Sequence, residues 1–234
     1  MEILDITLSL LTLTILEVVL GIDNLVFLTI LSQKLPKEQQ AMARRFGLTL
    51  AWVSRLILLA CAIWLAELVN PVFTIGDMGI SWRDIFLFSG GLFLLAKATQ
   101  EIHHELEPSP PIAAPKIGFN QFGWVITQIA LLDIVFSLDS VLTAIGLTQQ
   151  FWIMATAITI AIIAMVFASE PLSGFVERHP TIRMLALSFL ILIGMVLIAD
   201  SLDTHIPRGY VYFAMGFSLL VEFLNLLRRK RLGD

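Results

Sequence analysis

The chain has 234 residues, of which 57% are hydrophobic and only 15% charged, with a formal net charge of -4 and a mean hydropathy of +0.86. Soluble domains carry about 25% charged residues, so this composition describes an integral membrane protein, and 234 residues suffice for about seven spans of roughly 20 residues with little left for a soluble domain. Nothing in it suggests nucleic-acid binding, and the single cysteine, Cys61, excludes a disulfide framework and a C-x-x-C relay.

Apolar runs bounded by charge or turn residues predict seven membrane helices, at 8–31, 46–66, 85–102, 122–147, 151–169, 184–202 and 210–227. The start, Met1 to Asp5, lacks a basic signal-type region, so the first run is expected to be a retained span. That span contains Glu17-Val18-Val19-Leu20-Gly21-Ile22-Asp23-Asn24. Span four repeats the pattern at the same spacing as Asp133-Ile134-Val135-Phe136-Ser137-Leu138-Asp139-Ser140. A carboxylate at the centre of a membrane helix costs about 2.5–3.5 kcal/mol, so these four acids represent about 10 kcal/mol that something must offset.

Between spans three and four, 103–121 reads as a Pro-rich cytoplasmic linker, with Pro108, Pro110, Pro111 and Pro115 favouring an extended, solvated path. It separates two three-helix units, 8–102 and 122–202. Three is odd, so the units enter the membrane from opposite sides. A weaker echo closes each unit, because Gly91-Leu92-Phe93-Leu94-Leu95-Ala96-Lys97 aligns with Gly194-Met195-Val196-Leu197-Ile198-Ala199-Asp200. The expected fold is therefore an all-α polytopic membrane bundle, 1–234, with an inverted three-plus-three repeat. The seventh helix, 210–227, carries Glu222 and a basic cytoplasmic tail. Inverted repeats with polar groups near the midplane are a common architecture of secondary transporters.

The positive-inside rule sets the orientation. With the amino terminus outside, Lys34, Lys37, Arg44, Arg45, Lys116, Arg178, Arg183 and the tail Arg228, Arg229, Lys230 and Arg231 fall inside, against Arg83 and Arg208 outside. Arg55 and Lys97 lie within spans.

On a helix, Glu17, Gly21 and Asn24 share a face, as do Asp133, Ser137 and Ser140. Asp23 and Asp139 lie beside that stripe, so both acids of a helix face inward only if the polar sector is broad or the helix is distorted, which Gly21 would permit. No span contains histidine, and Cys61 is the only thiol. Carboxylates, an amide carbonyl and hydroxyls are hard donors that suit Mn, Mg or Ca over Cu and Zn. Four carboxylates exceed the charge of one divalent ion, which leaves shared protonation, two ions, or exchange of metal for protons as alternatives.

The competing reading is structural: Arg55 and Lys97 could simply pair with Asp200, Glu222 or an acid of the repeats. Glu101, His103, His104 and Glu105 read as a solvated end of span three, His179 and His205 as loop residues, and Arg228–Arg231 as an anchor at anionic lipid. Gly90-Gly91 reads as a close-packing site, and Asn70-Pro71 and His179-Pro180 as turns. There is no Walker pattern and no Gly-x-Gly-Asp of an intramembrane protease.

The two acidic phrases, extended to Phe27 and back to Leu132, resemble the signature stretches of the TerC family of integral membrane proteins. Arg178-His179-Pro180 and the run from Met184 to Leu192 resemble its short bacterial branch. The resemblance implies a seven-span inner-membrane protein of a family named for tellurium resistance, whose better-understood members export manganese and belong with LysE-like transporters. It puts metal at Glu17, Asp23, Asn24, Asp133, Asp139 and Ser140, with Lys97 and Asp200 as neighbours; Arg55 and Glu222, as charges within spans, are expected to support the site. The second phrase departs from the first in having Asp133 and Ser140 where the first has Glu17 and Asn24.

The expected activity is secondary export of a divalent cation, Mn2+ foremost, from cytoplasm to periplasm in exchange for protons, with no organic cofactor and no enzymatic step. The alternative is a nontransporting metal-binding or scaffold protein in envelope stress or tellurium resistance. The expected partners are the lipid bilayer, the metal ion and protons.

Overall fold

The computed structural model describes residues 3–61, 71–75, 78–107, 119–147, 150–204 and 206–232. The prolines of the expected linker, Asn70 and His205 lie outside these residues, as do the side chains of Asp23, Asp139 and Ser140. Seven helices are described: α1 (Ile3–Ser32), α2 (Lys37–Ala60), α3 (Trp82–Leu106), α4 (Phe119–Leu147), α5 (Phe151–Arg178), α6 (Pro180–Ser201) and α7 (Arg208–Leu232). Six of them, all but α2, are long and apolar enough to cross a membrane. Helix α2 carries Arg44, Arg45 and Arg55, and the end of its expected span, 62–66, falls outside the described residues.

A bilayer-facing surface is evident in the burial pattern. Helix α1 buries Leu13, Glu17, Gly21 and Leu25 on one side and exposes Leu8, Leu11, Ile15, Val19 and Ile22 on the other. Large aliphatic residues recurring at helical spacing on the exposed side are stable against lipid and not against water.

Helix ends follow local chemistry. A β-hairpin, β1 (Pro71–Ile75) with β2 (Met78–Ser81), precedes α3. Pro71, expected in a turn, instead opens a strand, where its missing N–H is tolerated and the β-branched Val72, Thr74 and Ile75 favour extension. Ser81 then caps α3 through a capping box: its hydroxyl accepts from the Asp84 N–H at 3.2 Å, and Asp84 Oδ2 accepts from the Ser81 N–H at 2.9 Å. His179 alone separates α5 from α6, and Pro180 stands at the first turn of α6. Helix α5 continues past the expected end at 169, through Pro171, to Arg178.

The most extensive helix pairs are α3 with α6, α1 with α5, and α2 with α4. At the α3–α6 crossing two glycines meet reciprocally. A Cβ on Gly91 would lie 2.7 Å from the Gly194 carbonyl oxygen, and one on Gly194 3.0 Å from that of Gly91. Helix α7 packs on α6 through Phe189, Val196, Val211 and Met215, and Thr181 donates a 2.5 Å hydrogen bond to Glu222.

Gly21 does not break α1, which is helical from Ile3 to Ser32. The expectation of a distortion there gives way to a packing role, since a Cβ would meet Met165 Sδ of α5 at 2.6 Å.

Candidate functional site

Three helices bring the first acids of the two phrases to one arginine. Glu17 on α1, Arg55 on α2 and Asp133 on α4 are all buried, at 2%, 2% and 7% exposure. Arg55 Nη1 donates to Glu17 Oε2 at 2.5 Å and Nη2 to Asp133 Oδ1 at 3.4 Å. Of the structural partners considered from sequence, Arg55 thus takes an acid from each phrase.

Asp133 is held from its other side. Its Oδ2 accepts from the Ser54 hydroxyl at 2.9 Å and from the Ser137 hydroxyl, one turn along α4, at 3.1 Å. Ser54 lies one residue before Arg55, so neighbouring positions on α2 supply both a hydroxyl and a guanidinium to the same carboxylate. Ser54 was not among the expected site residues, because a hydroxyl within a span has little weight until a carboxylate is found opposite it.

Among the described residues, Glu17 Oε1 at the Arg55 centre and Asn24 Oδ1 about two turns further along α1 are buried oxygens with no hydrogen-bond partner. Asn24, Arg55 and Asp133 line a cavity of about 20 Å³, walled by Phe27, Leu28, Phe136 and Met165 among others, which has room for about one water-sized species. An unpaired carboxylate oxygen and an amide oxygen are acceptors without donors, the condition that a hard cation satisfies. Among the described residues no three acids, histidines or cysteines converge on one point.

The neighbours expected from the second echo go elsewhere. Lys97 binds Glu101 at 2.7 Å, one turn along α3, and Lys34 from the end of α1 reaches the same carboxylate oxygen at 2.5 Å. Glu101 is therefore buried and doubly paired, not solvated, and the Lys97–Glu101 spacing of one helical turn was the sequence signal for it. Arg183 of α6 joins this end of the bundle by binding Glu105 at 3.1 Å and Gln33 at 2.5 Å, around a polar cavity of about 350 Å³. Asp200 is 7% exposed and has no hydrogen bond or ion pair among the described residues. Neither Lys97 nor Asp200 is bonded to the Glu17–Arg55–Asp133 centre, and Glu222 is spent on Thr181.

The family model described as "Integral membrane protein TerC family" matches residues 4–232. The chain is 53% identical over 220 residues to the UPF0053 inner membrane protein YgdQ of Escherichia coli K12, covering 94% of this chain and 92% of that relative. It is 47% identical over 230 residues to a UPF0053 protein of Haemophilus influenzae, covering 95% and 94%. The UPF0053 inner membrane protein YoaE of E. coli K12 is 47% identical over 222 residues, which are 95% of this chain and 43% of that longer relative. No solved structure matches the chain.

Proposed function

The chain belongs to the TerC family of integral membrane proteins, and from that premise we propose that it is a secondary transporter exporting a divalent cation, Mn2+ foremost, across the bacterial inner membrane in exchange for protons. The observation that carries this reading is the buried centre at Asp133, Arg55 and Glu17, bordered on the Arg55 and Asp133 side by the small cavity that Asn24 also lines. Asp23 and Asp139 complete the metal site in this proposal, with Ser140 as the counterpart of Asn24. The metal is cargo, and no organic cofactor or chemical conversion of substrate is involved.

The helix pairing supports two inverted units of three. Exchanging α1 with α4, α2 with α5 and α3 with α6 turns the α1–α5 pair into α4–α2, and leaves α3–α6 paired with itself at the reciprocal Gly91–Gly194 contact. That is the relation expected of halves that rock about a shared midplane site. In this reading the amino terminus is periplasmic and the carboxyl terminus cytoplasmic, α2 completes seven spans, and α7 stands outside the repeat.

The test is Mn2+ uptake into inverted membrane vesicles, with loss expected in Asp23→Asn and in Asp139→Asn. Unchanged flux in both refutes the site. One observation favours a second reading, a metal-binding or scaffold protein acting in envelope stress or tellurium resistance: Arg55 already pairs both Glu17 and Asp133. Purified protein in liposomes separates the two, because a scaffold moves no metal and an exporter does so without partners.

A further inference from the structure

Arg55 does more here than neutralise a stray acid. Its guanidinium is permanently charged, is enclosed in the bundle, and reaches the opening acid of both phrases. The two arms are unequal. The 2.5 Å contact to Glu17 is tight, whereas the 3.4 Å contact to Asp133 Oδ1 is well beyond the ~2.7–2.9 Å of a strong charge-assisted bond.

Asp133 is oriented without help from that weak arm. Ser54 and Ser137 both hold Oδ2, which fixes the carboxylate and leaves Oδ1 facing the guanidinium. Arg55 Nε has no partner among the described residues, and Arg55 and Asp133 both border the small cavity that Asn24 lines. Of the two Asp133 oxygens, Oδ1 is the one with no partner other than this long contact to the arginine among the described residues.

We infer that Arg55 is a tethered counter-cation: it takes Asp133 Oδ1 when the metal is absent and yields it when the metal is bound. The inference rests on the transport reading above and adds the device that keeps Asp133 neutralised when the carrier returns without metal, the exchanged protons being carried elsewhere in the site. A bare Asp133 carboxylate inside the bilayer is costly to carry through a conformational change, and a guanidinium that closes on it removes that obstacle. Arg55 cannot leave by losing its proton. It leaves by swinging on its flexible stem, with the Glu17 arm as the hinge.

The experiment compares wild-type protein, Arg55→Gln and Arg55→Lys in liposomes, using radiolabelled Mn2+. Net flux down a gradient requires the empty carrier to return, whereas exchange with equal Mn2+ on both sides does not. Arg55→Gln is expected to lose net flux by about tenfold more than it loses exchange, as an acid left uncompensated only on the metal-free limb would dictate. Arg55→Lys, which retains the charge, is expected to regain net flux, and added Mn2+ is expected to raise the thermal midpoint of Arg55→Gln more than that of wild type.

Parallel loss of exchange and net flux in Arg55→Gln, or loss of neither, overturns the counter-cation role while wild-type flux upholds transport. An Arg55→Gln protein that unfolds and is restored neither by Mn2+ nor by the lysine substitution also overturns it, in favour of a purely structural arginine. Wild-type protein that moves no Mn2+ in either assay refutes the transport reading itself.

Discussion

Replacing Gly91 with alanine tests the glycine crossing of α3 and α6. The new Cβ would lie 2.7 Å from the Gly194 carbonyl oxygen, 2.7 Å from Ile198 Cγ1 and 3.2 Å from the Ile198 nitrogen, whereas ordinary contact begins at 3.4 Å. Two of these three obstacles are backbone atoms, which cannot rotate aside, so α3 and α6 must separate by about 0.7 Å at the crossing. Overpacking of this kind costs about 1–3 kcal/mol. Alanine's helix propensity offsets about 1 kcal/mol of that, and the proper reference is therefore Gly216→Ala, since a Cβ on Gly216 of α7 has nothing within 4 Å. The difference between the two variants isolates the steric cost, and is expected to be about 1–3 kcal/mol.

Reversible unfolding in mixed detergent micelles, followed by circular dichroism, measures this difference. Gly21→Ala should fall between the two, because its obstacle is the flexible end of Met165. The reciprocal geometry adds a second expectation. A separation forced by Gly91→Ala also makes room at Gly194, so the double variant Gly91→Ala/Gly194→Ala should be less destabilised than the sum of the singles. A Gly91→Ala protein as stable as Gly216→Ala refutes the close crossing.

Two further expectations follow from the polar contacts and one from the orientation. Ser54→Ala removes one of the donors on Asp133 Oδ2 and should destabilise by between about 0.6 kcal/mol, the mean for interhelical polar contacts in a membrane protein, and about 3 kcal/mol, the upper end for a hydrogen bond to a charge. Glu101→Gln leaves both Lys34 and Lys97 without their shared carboxylate and should destabilise well beyond Lys34→Ala. Lys34 is 37% exposed and its loss leaves Lys97 in place, so Lys34→Ala should cost at most about 1 kcal/mol; equal losses in the same unfolding assay would contradict the shared pairing. In a Cys61→Ser background, an impermeant maleimide added to whole cells should label Thr204→Cys and not Glu107→Cys. The reverse pattern would invert the orientation.

Much of the architecture was legible in the amino-acid order because its physical causes are local. Hydropathy over a helix length marks the spans, and the two acidic phrases are costly enough in lipid to identify themselves as special. The helix boundaries differ from expectation where local signals mislead. Polar Ser169, Glu170 and Pro171 suggested an end to α5, yet the chain stays helical to Arg178, and Gly21 suggested a break where packing against Met165 requires only the absence of a side chain.

The sequence by itself determined that this chain lives in a membrane, that its two halves open with matched acids and that it resembles the TerC family. Only the tertiary structure decided which charges meet. Arg55 lies 38 positions from Glu17 and 78 from Asp133, and Lys34 lies 67 positions from Glu101. No periodicity links residues so far apart. Their pairing depends on which helix faces pack together, and that is settled by side-chain fit along whole helices, down to one pair of glycines at the α3–α6 crossing.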